Sequence, residues 1–127
     1  MKKEFVPYEL AVKLKALGFN EPCFGYYHNL GSQQLVLSLR DLREDNNDSI
    51  EYYIAPTFSQ AFRWFREKYN VFSYIESFTN GDNIEMYEFI IYSNQVNTLD
   101  EKDCYTYEEA EYDCLDKLIE LTFKSNQ

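Results

Sequence analysis

Residues 55–92 read APTFSQAFRWFREKYNVFSYIESFTNGDNIEMYEFIIY, and their patterning predicts one helix followed by one hairpin. Pro56 holds the entry extended, Thr57 supplies a capping hydroxyl, and Gln60 stands at the capping-box position three residues on. On a helical wheel Phe58, Ala61, Phe62, Phe65 and Tyr69 share one side, while Arg63, Arg66 and Glu67 face away and Trp64 sits at the edge of the apolar sector. After Asn70 the period changes. Val71–Phe78 and Ile84–Tyr92 are rich in β-branched and aromatic residues, and the Asn80-Gly81 pair between them is a strong hairpin signal.

Working outward, two further segments open as the helix at Thr57 does, with a small or rigid residue, an aromatic and then an alanine three places later. They begin at Pro7 and Thr106, so the three openings are nearly evenly spaced. The first predicts a helix over Pro7–Leu17, stopped by Gly18, with Leu10, Leu14 and Leu17 inward. The last predicts a helix from a Thr106/Glu109 capping box to about Phe123, with Tyr107, Ala110, Cys114, Leu118 and Leu121 inward. Between the first two helices, Cys23–Tyr27 and Gln34–Leu39 fit a strand–turn–strand unit around residues 28–32, and a short strand is expected at Tyr52–Ile54. Residues 40–49 and 93–105 read as polar loops. The order is α-β-β-(β)-α-β-β-α. Short connections favour antiparallel pairing, so the expectation is a single α+β domain over residues 1–127, with a mainly antiparallel sheet covered by helices.

The totals narrow the function classes. The chain has 127 residues with 12 Lys+Arg against 22 Asp+Glu, a formal charge of −10. Phosphate backbones and anionic lipid repel such a charge unless a dense basic patch is set apart. Lys2, Lys3, Lys13 and Lys15 make the first 20 residues slightly basic, and Arg63, Arg66 and Lys68 do the same for the second helix. Neither cluster is dense, so direct nucleic-acid binding is not expected. Residues 99–120 hold only Lys102 and Lys117 among a run of acids. No apolar run approaches the roughly 20 residues of a bilayer span, so no membrane partner is expected. The three cysteines, Cys23, Cys104 and Cys114, are odd in number and form no CxxC pair, and the opening Met1-Lys2-Lys3-Glu4 leads into a broken apolar stretch. Free thiols in a reducing cytoplasm are expected.

Two surfaces stand out. Glu109, Asp113, Asp116 and Glu120 share one face of the last helix, with Lys117 the one cation in that stretch near enough to relieve their repulsion. That face either meets a basic partner or is a solvated surface that keeps the protein soluble. As a metal site it is poor, because one helix cannot surround a cation and no Glu-x-x-His pair accompanies it. On the second helix Trp64, Arg63, Arg66 and Lys68 combine residue types enriched at binding hot spots, although a tryptophan at the edge of a buried sector also serves as core cover. The acidic third helix and basic second helix can pair between copies, which makes a homo-oligomer one expectation.

Catalysis is not expected. His28 is the only histidine, and a Cys/His enzyme would need it beside one of the thiols with a further orienting group. Residues 41–48, DLREDNND, lack the spacing, central Gly and closing Glu of an EF-hand loop. No P-loop and no GxGxxG is present, so no cofactor and no metal is assigned.

Residues 3–27 (KEFVPYELAVKLKALGFNEPCFGYY), 55–75 (APTFSQAFRWFREKYNVFSYI) and 106–121 (TYEEAEYDCLDKLIEL) resemble segments of small uncharacterised proteins of gut Bacteroidetes bacteria, their prophages and tailed phages. The resemblance implies a cytoplasmic accessory protein, often of mobile-element origin, and carries no activity, ligand or catalytic residue. The leading expectation is therefore a non-enzymatic protein-interaction module, such as a phage or prophage accessory factor acting on a host protein. An acidic decoy that mimics nucleic acid and occupies a DNA-binding host protein is the alternative. The four helical carboxylates would mimic phosphates over only about 17 Å. A small-molecule binder between sheet and helices is the third reading, and it requires a pocket.

Overall fold

Pro7 precedes the first helix with extended backbone, and Gly18 ends it at φ 101°, the left-handed conformation that a side chain disfavours. Helix α1 (Tyr8–Leu17) therefore ends where predicted and begins one residue later, with Pro7 as its N-cap. The Gly18 N–H donates to the Lys15 carbonyl at 3.0 Å and the Phe19 N–H to the Leu14 carbonyl at 3.0 Å, which satisfies two end carbonyls. The computed structural model describes residues 2–28, 33–38, 52–94 and 98–125. The expected turn at residues 28–32 lies outside them apart from His28, and the loop 40–49 lies outside them entirely. The chain is of the α+β class and divides into two compact units, Met1–Ala61 and Phe62–Gln127.

In the first unit β1 (Gly25–His28) lies between β2 (Val36–Leu37) and β3 (Tyr52–Ala55), antiparallel to both. Helix α1 packs on β3, and Leu10, Ala11, Leu14, Ile54 and Ala55 are fully buried. Tyr8 sets its ring edge-on to Tyr27 and Tyr53, each at 5.7 Å. The Tyr27 hydroxyl donates to the Val6 carbonyl at 2.7 Å, giving a buried phenol the partner it requires.

Helix α2 (Phe58–Tyr69) begins as predicted. The Thr57 Oγ1 accepts from the Gln60 N–H at 3.1 Å, but the Gln60 amide donates to the Pro22 carbonyl at 2.9 Å rather than returning to the cap. Phe58, Ala61 and Phe65 are buried, whereas Phe62 and Tyr69 are half-buried. Asn70 follows at φ 58°, and the chain turns directly into a strand.

The second unit holds β4 (Val71–Thr79), β5 (Glu85–Ser93), β6 (Asp100–Cys104) and α3 (Tyr107–Ser125), with strand order β4-β5-β6, all antiparallel. Two features differ from the expectation. The strands form two three-stranded sheets rather than one, and β6 lies in what reads as a polar loop. Its sequence, DEKDC, has no β propensity; β5 makes it a strand by pairing with it, and charge is tolerated on an edge. The stripe of α3 is also displaced. Ala110, Cys114 and Leu118 point inward with Leu115, Ile119 and Thr122, while Tyr107 is 46% exposed and Leu121 is half-buried. No helix among the described residues is long and apolar enough to cross a membrane.

The β4–β5 hairpin is present, but its closure differs from a tight Asn-Gly turn. Asn83 at φ 63°, not Gly81, takes the left-handed position. The Asn83 N–H donates to the Asn80 carbonyl at 3.0 Å, and Asn80 Oδ1 accepts from the N–H groups of Asp82 and Ile84. This is a three-residue loop with a left-handed third residue. Substitution separates the two glycines. Gly18→Ala is expected to destabilise by about 1–2 kcal/mol, whereas Gly81→Ala, with open space around its Cβ, is neutral or stabilising by up to about 1 kcal/mol in urea unfolding.

Candidate functional site on the open face of the second sheet

Side chains alternate across a strand, so the β4–β5 register sorts the hairpin into two faces. Ser73, Tyr87, Asp100, Lys102 and Cys104 face α3. Tyr87 meets the Tyr107 ring at 6.0 Å, and Lys102 Nζ donates to Asp113 Oδ2 at 2.8 Å. Phe89 and Ile91 lie on the same side and are buried. The opposite face holds Phe72, Tyr74, Glu76 and Phe78 from β4, Met86, Glu88, Ile90 and Tyr92 from β5, and Glu101 and Asp103 from β6. Met86, next to the hairpin loop, is buried, and the stretch from Phe72 to Glu76 is the open part.

Along that face aromatic, acidic and apolar pairs follow one another. At one end Phe72 and Tyr92, a cross-strand pair, stack at 5.5 Å, and Tyr74 lies edge-on to Tyr92 at 6.0 Å. Tyr74 is 46% exposed. In the middle of the face, between these rings and the Phe78–Met86 pair, lie four carboxylates: Glu76 pairs across to Glu88, Glu88 pairs across to Asp103, and Glu101 stands opposite Ile90 on the same strand as Asp103. Directly opposed like charges destabilise a sheet by roughly 0.2–1 kcal/mol per pair. Partial desolvation, a hydrogen bond with Asp103 and the charges of Asp103, Glu101 and Glu76 raise the Glu88 carboxyl above its ordinary 4.5. The Tyr74 phenol is raised as well, first by desolvation and then by Glu76 and Glu88. Among the described residues no Lys or Arg is ion-paired with any of the four acids.

The surfaces singled out in the sequence lie elsewhere. Glu109 and Glu120 are exposed and Asp113 and Asp116 half-buried on α3, so the row exists, but it is not left to Lys117 alone. Lys102 reaches Asp113 from β6, Lys124 holds Glu120 at 3.1 Å, and Lys117 lies 3.3 Å from Glu120 and 3.6 Å from Asp100. The Lys124 and Lys117 ammoniums keep the Glu120 carboxyl below its usual range. Trp64 is 5% exposed, packed against Phe65 and Tyr69 at 5.1 and 5.3 Å, with the Lys68 ammonium 5.2 Å from its ring. It acts as core cover and has little surface to offer a partner. Arg63, Arg66 and Lys68 are exposed, and Arg63 sits 3.7 Å from Glu67.

The thiols are sequestered. Cys23 Sγ donates to the Glu21 carbonyl at 3.2 Å and to Gln60 Oε1 at 3.7 Å, while His28 lies on β1 opposite Tyr52, its ring 5.4 Å from Tyr26. Burial pushes the Cys23 and Cys114 thiols up to about 12. Cys104, Glu109 and Asp113 place ligand atoms within 4.8 Å of one another. The Lys102 ammonium holds the Asp113 carboxylate at 2.8 Å, the Cys104 Sγ donates to Asp113 Oδ2 at 3.8 Å, and burial together with Glu109 and Asp113 raises the Cys104 thiol. A shallow depression of about 290 Å³ lies among Tyr69, Val71, Leu99, Leu121, Thr122 and Lys124.

Sequence reading missed the open face. Glu76 and Glu88 were visible inside predicted strands, but their pairing depends on the loop, and Glu101 and Asp103 come from a strand that has no signature of its own.

Two measurements check these assignments. Native Cys23 and Cys114 should react with a disulfide reagent near pH 8 at least about a hundredfold more slowly than in unfolded chain, because so little thiolate is present; fast native labelling would contradict their burial. A raised carboxyl pKa stabilises the fold below the ordinary value and loses that contribution as pH climbs through the folded value. Glu88→Gln should therefore match the parent Tm at about pH 4 and exceed it by about 1–4 °C at about pH 7. Comparison with protein-family models, with curated proteins and with solved structures finds no match for this chain.

Proposed function

We propose that this chain is a non-enzymatic protein-interaction module whose open sheet face receives a basic partner. The observation that carries the reading is the set of Glu76, Glu88, Glu101 and Asp103, gathered on one face with no cation paired to them among the described residues, beside the exposed Tyr74 ring. A Lys or Arg side chain entering there gains ion pairs and an aromatic face together. It also relieves repulsion that the free protein bears, which makes charge complementarity the source of selectivity.

Other features agree with this reading. The thiols of Cys23 and Cys114 hold their protons and His28 is engaged by strand neighbours, which supports a binding role over nucleophilic chemistry. Three free cysteines suit a reducing compartment, so we place the module in the cytoplasm, where the resemblance to phage and prophage accessory proteins also points. A nucleic-acid-mimicking decoy has less support, because Lys102, Lys117 and Lys124 already neutralise much of the helical acid row. A small-molecule binder finds support in the shallow depression beside Tyr69 and Leu121.

Calorimetric titration with a flexible Lys/Gly/Ser peptide of about twelve residues tests the reading. Binding is expected at about 50 mM salt and should weaken at least about tenfold by 300 mM. It should also weaken at least about tenfold in Glu76→Gln/Glu88→Gln/Glu101→Gln/Asp103→Asn. Unchanged binding in that variant, or loss instead in Glu109→Gln/Asp113→Asn/Asp116→Asn/Glu120→Gln, would move the interaction off the sheet.

A further inference from the structure

We infer that the basic partner is an extended polypeptide segment that binds as an added strand along β4; this rests on the reading of the open face as a site for a basic partner. β4 is an outer strand of its sheet, and among the described residues its only strand partner is β5. It spans nine residues, long enough to template several main-chain hydrogen bonds. β6, at the other edge, has five residues and is tied to α3 through Asp100 and Lys102.

Charge decides the occupant. A strand laid beside β4 sets alternate side chains about 5 Å from Tyr74 and Glu76 on the open face. Lys or Arg at those positions pairs with Glu76, lies against the exposed Tyr74 ring, and enters the field of Glu88. A second copy of this chain is the wrong occupant. Pairing β4 with itself joins two acidic clusters on one continuous sheet face and adds repulsion where the single chain already bears it. The edge is thus guarded against its own kind and open to a basic strand, so the same Glu76 that prevents self-association selects the ligand.

The probe is an end-blocked nonapeptide alternating Lys and Thr, compared with the same sequence N-methylated throughout, which keeps every charge but donates no main-chain hydrogen bond. The unmodified peptide should bind at least about tenfold more tightly than the methylated one. Amide exchange should slow within Val71–Thr79 on binding and stay unchanged in Asp100–Cys104. Equal affinity of the two peptides, or protection in β6 in place of β4, overturns strand addition. If the flexible Lys/Gly/Ser peptide binds while the nonapeptide does not, strand addition falls and the basic-partner reading stands. If neither binds, both fall.

Discussion

Closure of the β4–β5 hairpin at Asn80–Ile84 is the constraint on which the second unit depends. Asn83 takes the left-handed position and Asn80 Oδ1 fastens the N–H groups of Asp82 and Ile84, so the loop counts three residues between Asn80 and Ile84, which the Asn80 N–H joins by donating to the Ile84 carbonyl at 2.9 Å. Strand side chains alternate with a period of two, and a loop shorter by one residue would turn one strand over relative to the other. Phe89 and Ile91 would then leave the side that α3 covers, and Glu88 would leave the side of Glu76. The same closure that buries the core of this unit therefore assembles the acidic face. Core and site are two sides of one register.

The two acidic regions differ in what answers their charge. On α3, Lys102, Lys117 and Lys124 supply ion pairs, and Glu120 responds as a paired carboxylate does, with its acidity strengthened. Such exposed pairs contribute little stability each, yet together they cancel repulsion along the helix. On the open sheet face the shift runs the other way, and Glu88 holds its proton more tightly, first through desolvation and then through its hydrogen bond with Asp103 and its acidic neighbours. Opposite responses from carboxylates in one unit separate an internally balanced surface from one with no cation paired to it among the described residues.

Much of the backbone was legible in the sequence because its signals are local. Gly18 stops α1, the Thr57 and Thr106 hydroxyls cap their helices, and the β-rich runs flanking Asn80-Gly81 form a hairpin. Glycine misled at the next level of detail, since Asn83 rather than Gly81 carries the positive φ. β6 was illegible for a different reason. Its charged residues become a strand only through the ladder that β5 offers, a non-local cause that propensity does not encode. Trp64 illustrates the limit of residue-type arguments. Arginine and lysine around a tryptophan suggest an interface, but Phe65 and Tyr69 claim the ring first.

A sheet face that retains opposed carboxylates sacrifices some stability in the isolated chain, and a change of Glu88 to glutamine, which removes both opposed pairs, would recover part of it. Surface repulsion of this size is tolerable for a fold with Phe89, Ile91, Leu115 and Leu118 buried beneath it, because each such side chain contributes roughly 1.5–3 kcal/mol. The core thus allows the face to stay strained, and the proposed function would use that strain in one respect. A cation bound there gains both its own pairing energy and the repulsion it removes, whereas a neutral or acidic chain gains neither. On the reading proposed above, discrimination would arise from the free state as much as from the contacts in the complex, so that a short, solvent-exposed face could select by charge without a deep pocket.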